Sequence, residues 1–350
     1  MLKARQDTAV VILSYNGKTW HEKFLPGILA AADSGYEVIV IDNASTDDTP
    51  QYLATHFPQV RTVTIPVNRG FAAGYAEGLR QIKAKYYVLL SADFEVTPGW
   101  FPPLLAAFEE NPRLAAAQPK IRYWREREKF EYAGAAGGYM DTLGYLFCRG
   151  RLFDTLETDT GQYDDNVAVF WASGGCLMVR ADLYHAAGGL DPELYAHMEE
   201  VDLCWRLRRM GYTVGAIGGS TVFHVGGSVI SYGSPQKLYY NFRNNLLLLL
   251  KNERSSRLLW LLPARLILDG VAALQYLFAG KTKEIGVIFR AHLGFYRMAG
   301  YTFSQRKAFQ KAHGRVWAGP EARYPGAVIW QYFARGIRTF KQLGWKPRAL

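Results

Sequence analysis

Three carboxylates fall within four positions of the stretch YAHMEEVDLCWRLRRMGY (195–212): Glu199, Glu200 and Asp202. Three arginines, Arg206, Arg208 and Arg209, follow them. A carboxylate held in a partly dry cleft has its pKa raised and can take the proton from a hydroxyl group. The same residues also make a well-balanced helix, because acids in the first turn and bases in the last complement the helix dipole at about 0.3–1 kcal/mol each. Val201, Cys204, Leu207 and Met210 recur at helical spacing and fit a buried face. Local sequence leaves both readings open. The choice rests on what the rest of the chain brings to the same place.

Other residues offer complementary chemistry. Asp93 and Glu95 stand at positions i and i+2 of a strand-like stretch, where side chains point the same way. Two carboxylates aimed together repel unless a cation lies between them, and oxygen ligands of this kind suit Mg²⁺ or Mn²⁺ shared with substrate phosphates. Pro98 and Gly99 just beyond also fit a solvated turn. Asp42, followed by Asn43, Ser45 and Asp47, is placed either to form Asx turns and a helix cap or to hold nucleotide hydroxyls or a base edge. The glycines of NRGFAAGYAEG (68–78) let backbone N–H groups approach a phosphate or ribose. Their spacing is neither G-x-G-x-x-G nor a P-loop, which argues against a dinucleotide dehydrogenase or a kinase. FWASGGCLMV (170–179) carries Trp171 and the paired Gly174 and Gly175, which permit a close approach by substrate. His224 closes the run TVF; a lone histidine is more often structural than a ligand, and it gains meaning only near Asp93. Arg243 and Asn244 in YYNFRNN suit a phosphate or simply begin a charged helix.

These residues need a scaffold, and the first hundred positions supply one. TAVVILSYN (8–16), YEVIVIDNASTDDT (36–49), a run near 60–65 and YYVLLSADFEV (86–96) read as strands, separated by helical stretches. Runs apolar on both faces predict an open α/β, mostly parallel, Rossmann-like sheet with helices on both faces. Polar residues gather at the carboxyl ends of the first, second and fourth strands, where open α/β sheets bind ligands. AGAAGGYMDTLGY (133–145) reads as a flexible loop over a cleft.

The 350 residues suit one large domain plus an appendage, and 49% hydrophobic with 21% charged residues is ordinary for a globular protein. The net charge of +10 is uneven: from Lys251 onward 18 Lys/Arg face 4 Asp/Glu, so the first 250 residues are slightly acidic. Three cysteines without a C-x-x-C pair fit a reducing cytoplasm, and the polar break at Ser14 argues against a signal peptide. The stretch RLLWLLPARLILDGVAALQYLFAG (257–280) is long and apolar but carries Arg265 and Asp269 at i,i+4 spacing. A charge at the centre of a spanning helix costs about 2.5–3.5 kcal/mol, so the segment is expected to lie in the membrane interface. IGVIFRAHLGFYRM and AVIWQYFARGIRTFKQLGW repeat the mixture of aromatics, aliphatics and Arg/Lys that suits anionic lipid. A soluble helical subdomain with a basic outer face is the competing reading. The expected division is a catalytic domain over 1–252 and a C-terminal amphipathic, membrane-associating helical region over 253–350.

The segments VVILSYN, IVIDNASTDDT, NRGFAAGYAEGL, LLSADFEVTPGW, WASGGCLMVR, GGLDPELYAHMEEVDLCWRLRRMGY, FHVGGS and YYNFRNNLLLLLKN, in this order, resemble family 2 glycosyltransferases of the GT-A fold. The nearest likeness is to the rhamnosyltransferase-like branch that builds bacterial surface polysaccharides, and it spans residues 8–252. The resemblance implies that Ser14, Tyr15, Asn16, Asp42, Asn43, Asn68, Gly70, Ala92 and Asp93 hold a nucleoside-diphosphate sugar. It puts Asp93 and Glu95 in the D-x-D-like position for Mg²⁺ or Mn²⁺, with His224 completing either the metal or the diphosphate site. Trp171, Gly174, Gly175, Arg243 and Asn244 then face the acceptor or a phosphate. Glu200 takes the place of the family's base, with Glu199 and Asp202 as alternatives. Two departures stand out: Ser91-Ala92 before the metal Asp, and Glu for Asp at the base. The reaction implied is inverting transfer to a hydroxyl of a lipid-linked or surface glycan, peripheral on the inner face of the cell membrane. dTDP-rhamnose is the donor that the resemblance suggests, with UDP- and GDP-sugars open, as is homo-oligomerisation. A sugar-phosphate nucleotidyltransferase would need a base facing the α-phosphate, and only Lys18 is offered. A nucleic-acid-binding protein fits poorly, because the tail's charges are interleaved with large aliphatics.

Overall fold

A computed structural model of the chain describes residues 7–226, 234–314 and 322–350. The last two residues of FHVGGS, Gly227 and Ser228, lie outside them. The opening apolar run forms β1 (Thr8–Ser14). Next come α1 (Lys18–Ala30), β2 (Tyr36–Asn43), α2 (Thr49–His56), β3 (Arg61–Ile65), α3 (Phe71–Gly78) and β4 (Tyr86–Ser91). β1 runs parallel between β2 and β4, and β3 continues the parallel order beyond β2. Alternate residues feed two cores: Ala9, Val11, Ile39 and Ile41 on one face, Val10, Ile12, Val38 and Val40 on the other. That two-sided burial is why these strands lack a polar face.

The expected strand over 86–96 is interrupted. β4 stops at Ser91, the chain turns at Ala92 and Asp93, and β5 (Phe94–Val96) leaves to pair elsewhere. α4 (Phe101–Glu110) and β6 (Leu114–Tyr123) follow. A small antiparallel sheet comes next: β7 (Gly138–Met140), β8 (Leu146–Cys148), β9 (Arg151–Leu152) and β10 (Thr155–Leu156). The Gly/Ala-rich stretch 133–145, which contains β7, is no flexible loop: Ala135, Ala136, Tyr139 and Met140 are fully buried in the larger core. β11 (Val167–Ala168), β12 (Cys176–Arg180), α5 (Ala181–Ala186), α6 (Glu199–Arg209) and β13 (Thr213–His224) finish the sheet, whose order is β11-β13-β6-β12-β4-β1-β2-β3. β12 is antiparallel to both neighbours, β4 and β6. This inversion sets the glycines preceding β12 beside the end of β4, where Ser91 N donates to Gly175 O.

Beyond the sheet, α7 (Pro235–Asn252), α8 (Ser255–Phe278) and α9 (Thr282–His313) pack together, with Leu246, Leu247 and Phe295 between them. After the short α10 (Val328–Phe333) the chain returns to the sheet: Phe340 packs on Tyr139, and Ala168 N donates to Arg348 O beside β11. AVIWQYFARGIRTFKQLGW is therefore mostly a strap over the protein core, with Trp330 and Phe333 left exposed.

Candidate active site

The carboxyl ends of β1, β2 and β4 lie side by side, which brings Ser14 level with Asp42. Both are buried. Ser14 Oγ lies 2.8 Å from Nε2 of His21, a buried histidine that burial pushes down to about 4 and keeps neutral. Asp42 Oδ1 accepts the backbone N–H of Ser45 at 3.4 Å. Tyr15 is exposed at the rim. Asn16 ties the two strand-end loops together, accepting from Thr46 N at 2.8 Å and donating to Thr46 Oγ1 at 3.2 Å. Asn43 donates to Asn68 Oδ1 at 3.1 Å, and Asn68 Oδ1 also takes the N–H of Gly70 at 2.9 Å. Gly70 has φ +93, and a Cβ there would sit 2.5 Å from the Tyr195 ring. Only glycine lets the loop before α6 approach this wall so closely.

Asp93 and Glu95 are held by different partners. Antiparallel pairing sets Phe94 opposite His224 and Glu95 opposite Phe223, so Glu95 takes the other face of the sheet. Its carboxylate accepts from Trp124 Nε1 at 2.7 Å and meets Arg127 at 2.6 Å. Asp93, in the turn, lies 3.0 Å from His224 Nε2, and the His224 ring stacks on Phe94 at 4.2 Å between centroids. His224 Nδ1 is 3.2 Å from Glu131 Oε1. Burial disfavours charge on His224, but the Asp93 and Glu131 carboxylates outweigh it and push it up to about 10. Among the described residues no three or more His, Cys, Asp or Glu side chains form a closed metal cage. Asp93 and His224 instead meet as an ion pair backed by Glu131, which leaves the Asp93 carboxylate as the oxygen ligand of this corner and gives His224 a free lone pair only once it has lost its proton.

The acidic helix lies across the glycine turn. A Cβ on Gly174 would sit 3.3 Å from Glu200 Cβ and 3.7 Å from Glu199 Oε1. Glu199 is buried and Glu200 partly so, and Oε2 of each is shut from solvent without a hydrogen-bond partner. Burial and the neighbouring Glu200 charge raise Glu199 well above the ordinary carboxylate range. Burial also pushes Glu200 up to about 7, against N–H groups at the helix start and at Gly174. Asp202 differs. Burial would raise it, but Arg206, Lys251 and Asn252 hold it well below the usual range. Arg206 Nη2 stands 2.8 Å and Lys251 Nζ 2.9 Å from its Oδ2, and Asn252 donates to Oδ1 at 2.7 Å.

Three expected acceptor or phosphate residues are engaged elsewhere. Trp171 is buried against Gly138 and donates to Tyr139 O at 3.2 Å. Arg243 Nη2 donates to Leu194 O at 3.1 Å, and Asn244 is fully buried on backbone carbonyls of the loop before α6. Sequence reasoning missed His21 and Glu131. Glu131 sits in the charge-rich run WREREKFEY, which carries no local sign that one of its acids turns inward to a histidine 93 positions on.

A family model described as "Glycosyl transferase family 2" matches residues 9–185, half of the chain. Over 233 residues the chain is 27% identical to N-acetylglucosaminyl-diphospho-decaprenol L-rhamnosyltransferase of Mycobacterium tuberculosis (strain ATCC 25618 / H37Rv), covering 61% of this chain and 75% of that protein. It is 26% identical over 181 residues to poly-beta-1,6-N-acetyl-D-glucosamine synthase of Staphylococcus epidermidis, covering 46% of this chain and 44% of that protein. The crystal structure of GalNAc-T7 with UDP, GalNAc and Mn²⁺ has the same fold, with a TM-score of 0.55 at 15% identity over 72% of this chain and 49% of that one.

Proposed function

Because the chain belongs to glycosyl transferase family 2, we propose that it moves a sugar, with inversion, from a nucleoside diphosphate to a hydroxyl of a lipid-linked or surface glycan. The observation that carries this reading is the pair of unpaired, buried carboxylate oxygens on Glu199 and Glu200 beside the Gly174 turn. A base must be unpaired, within reach of a hydroxyl and poised near neutral pH. Glu200 meets that description best, and Asp202, held by cations, does not.

In this reading Ser14, Tyr15, Asp42, Asn43, Asn68 and Gly70 form the nucleoside wall, with Asn16 fixing the loops around it. Asp93 would hold Mg²⁺ or Mn²⁺, which when bound offsets negative charge on the leaving diphosphate, and His224 would join it as a ligand only by losing its proton in competition with the cation. Glu200 removes the acceptor proton as the hydroxyl attacks the anomeric carbon from the face opposite the diphosphate. Configuration then inverts and no covalent intermediate forms. The rhamnosyl donor and polyprenyl-diphosphate acceptor in the mycobacterial relative's name support dTDP-rhamnose and a lipid-linked acceptor here. A nucleotidyltransferase is less well served: Lys18, its needed cation, is paired with Asp48 at 2.6 Å.

The reading extends to a site on the inner face of the cell membrane. α8 is long and apolar enough to cross a bilayer by length and composition. Its charged residues face the protein: Arg265 donates to Leu143 O at 3.2 Å, and Asp269 meets His292 at 3.0 Å. Leu259, Ile267, Val271, Leu274 and Phe278 face outward. A helix pinned on one side and greasy on the other suits lying in the interface. With Arg265 and Arg306 buried and Arg323 paired to Glu253 at 2.7 Å, the tail presents less charge to a nucleic acid than its composition suggests.

A thermal-shift screen of UDP, dTDP and GDP with and without Mn²⁺ tests the donor site, since a ligand that binds only the folded state raises the melting temperature. One nucleotide should stabilise selectively, and more with Mn²⁺. No response to any of them would reject the reading.

A further inference from the structure

The turn that delivers the two glutamates has strained backbone. Tyr195, His197 and Met198, none of them glycine, have φ of 67, 67 and 73. Residues held in such conformations are strained and persist only where the surroundings over-determine them. On one side the surroundings are thin: Ala72 N donates to Tyr195 O at 3.0 Å, and the Tyr195 ring rests on Gly70. On the other side α7 does the holding: Tyr240 stacks on Tyr195, Arg243 Nη2 reaches Leu194 O at 3.1 Å, and the amide of Asn244 spans the rest of the turn. Asn244 Nδ2, fully buried on α7, has two N–H groups that the carbonyls of Leu194 at 3.1 Å, Ala196 at 3.0 Å and His197 at 2.7 Å share, one of them in a bifurcated bond. Its Oδ1 accepts from Arg243 Nε at 2.8 Å, which fixes the amide's orientation. A flipped amide would turn oxygen toward carbonyl oxygens, leaving buried polar groups unsatisfied.

We propose that Asn244 is a positioning residue: its amide clamps the turn 194–198 in the strained form that aims Glu199 and Glu200 at the Gly174 turn. The proposal rests on the reading that one of those glutamates takes the acceptor proton. It also removes Asn244 from the phosphate ligands, since a side chain with no exposed surface and its amide spent on carbonyls has nothing to offer a diphosphate.

The test uses Asn244→Asp, which keeps the shape but replaces the donor by an acceptor, and Asn244→Ser as a milder variant should N244D fail to fold. Amide hydrogen exchange across 194–199 is measured with transfer kinetics, dTDP-rhamnose and a polyprenyl-diphosphate-linked N-acetylglucosamine serving as probes. Binding of dTDP and UDP is measured by calorimetry. Exchange in the turn should rise at least tenfold while the strands β1, β2 and β4 stay protected. kcat should fall at least tenfold, with donor KM and nucleotide affinity within about twofold of wild type. Unchanged exchange in the turn, or unchanged kcat, would overturn the proposal, and so would a loss of nucleotide affinity at unchanged exchange. Glu199→Gln and Glu200→Gln are assayed alongside. If both transfer normally the base reading fails by itself, and the exchange measurement still decides whether Asn244 holds the turn.

Discussion

Glu200 and Asp202 stand two residues apart on one helix, yet the protein treats their carboxylates in opposite ways. Asp202 faces α7, whose Lys251 and Asn252, together with Arg206 one turn on along Asp202's own helix, saturate its oxygens and hold it ionised. Glu200 faces the glycine turn, where an oxygen is left without a partner and burial raises the pKa. A buried charge is tolerated when paired, and an unpaired one is costly enough to need a reason. The contrast separates a carboxylate that holds the fold from one kept for chemistry. The i,i+4 spacing of Asp202 and Arg206 already marks Asp202 as a structural candidate in the sequence, but the partners that complete the contrast come from α7 and from the turn before β12, both far along the chain.

The contrast can be broken most sharply by exchanging charge for amide on each side. Glu200→Gln should keep the fold and cut transfer by about 10²- to 10⁴-fold, the range for loss of a general base; near-normal turnover would move the role to Glu199. Asp202→Asn should do the reverse, lowering stability by about 3–5 kcal/mol because buried Arg206 would lose its carboxylate and Lys251 would be left with that of Asp191 at 2.6 Å. Denaturant titration measures that loss, and a change under about 1 kcal/mol would show that the network is not structural. Melting as a function of pH is a subtler probe. The folded-state pKa of Glu200 is raised above its unfolded value, so its contribution to stability is fully present below about 4.5 and is lost as pH rises through about 7. Glu200→Gln should therefore melt a few degrees above wild type near pH 8, with the gap closing by about pH 5. The smallest effect is expected far from the site. Ile267→Asp with Leu274→Asp should weaken sedimentation with anionic vesicles several-fold and leave transfer to a water-soluble acceptor unchanged. Equal vesicle binding would remove α8 from the membrane contact.

Much of the sheet was legible because strands buried on both faces must be continuously apolar, and β1, β2 and β4 are. Their polar ends marked the site for the same reason. The D-x-E pair misled because alternation holds only within a strand, and the backbone leaves strand geometry between Ser91 and Phe94. His21 and Glu131 carried no signal, since a histidine on a helix and an acid in a charged run look solvated until packing turns them inward. The tail shows the limit of amphipathic pattern. Aromatics mixed with Arg and Lys suit a lipid surface and a protein surface equally, and Phe340 found the core while Phe278 stayed outside.

The central claim is that a carboxylate poised near neutrality removes the acceptor proton. The dependence of kcat on pH, measured with saturating donor and acceptor, tests it most directly. kcat should rise with pH along an acid limb centred near 7 that is missing from the residual activity of Glu200→Gln. A profile flat down to about pH 5, or an acid limb that survives in the variant unchanged, would contradict the account.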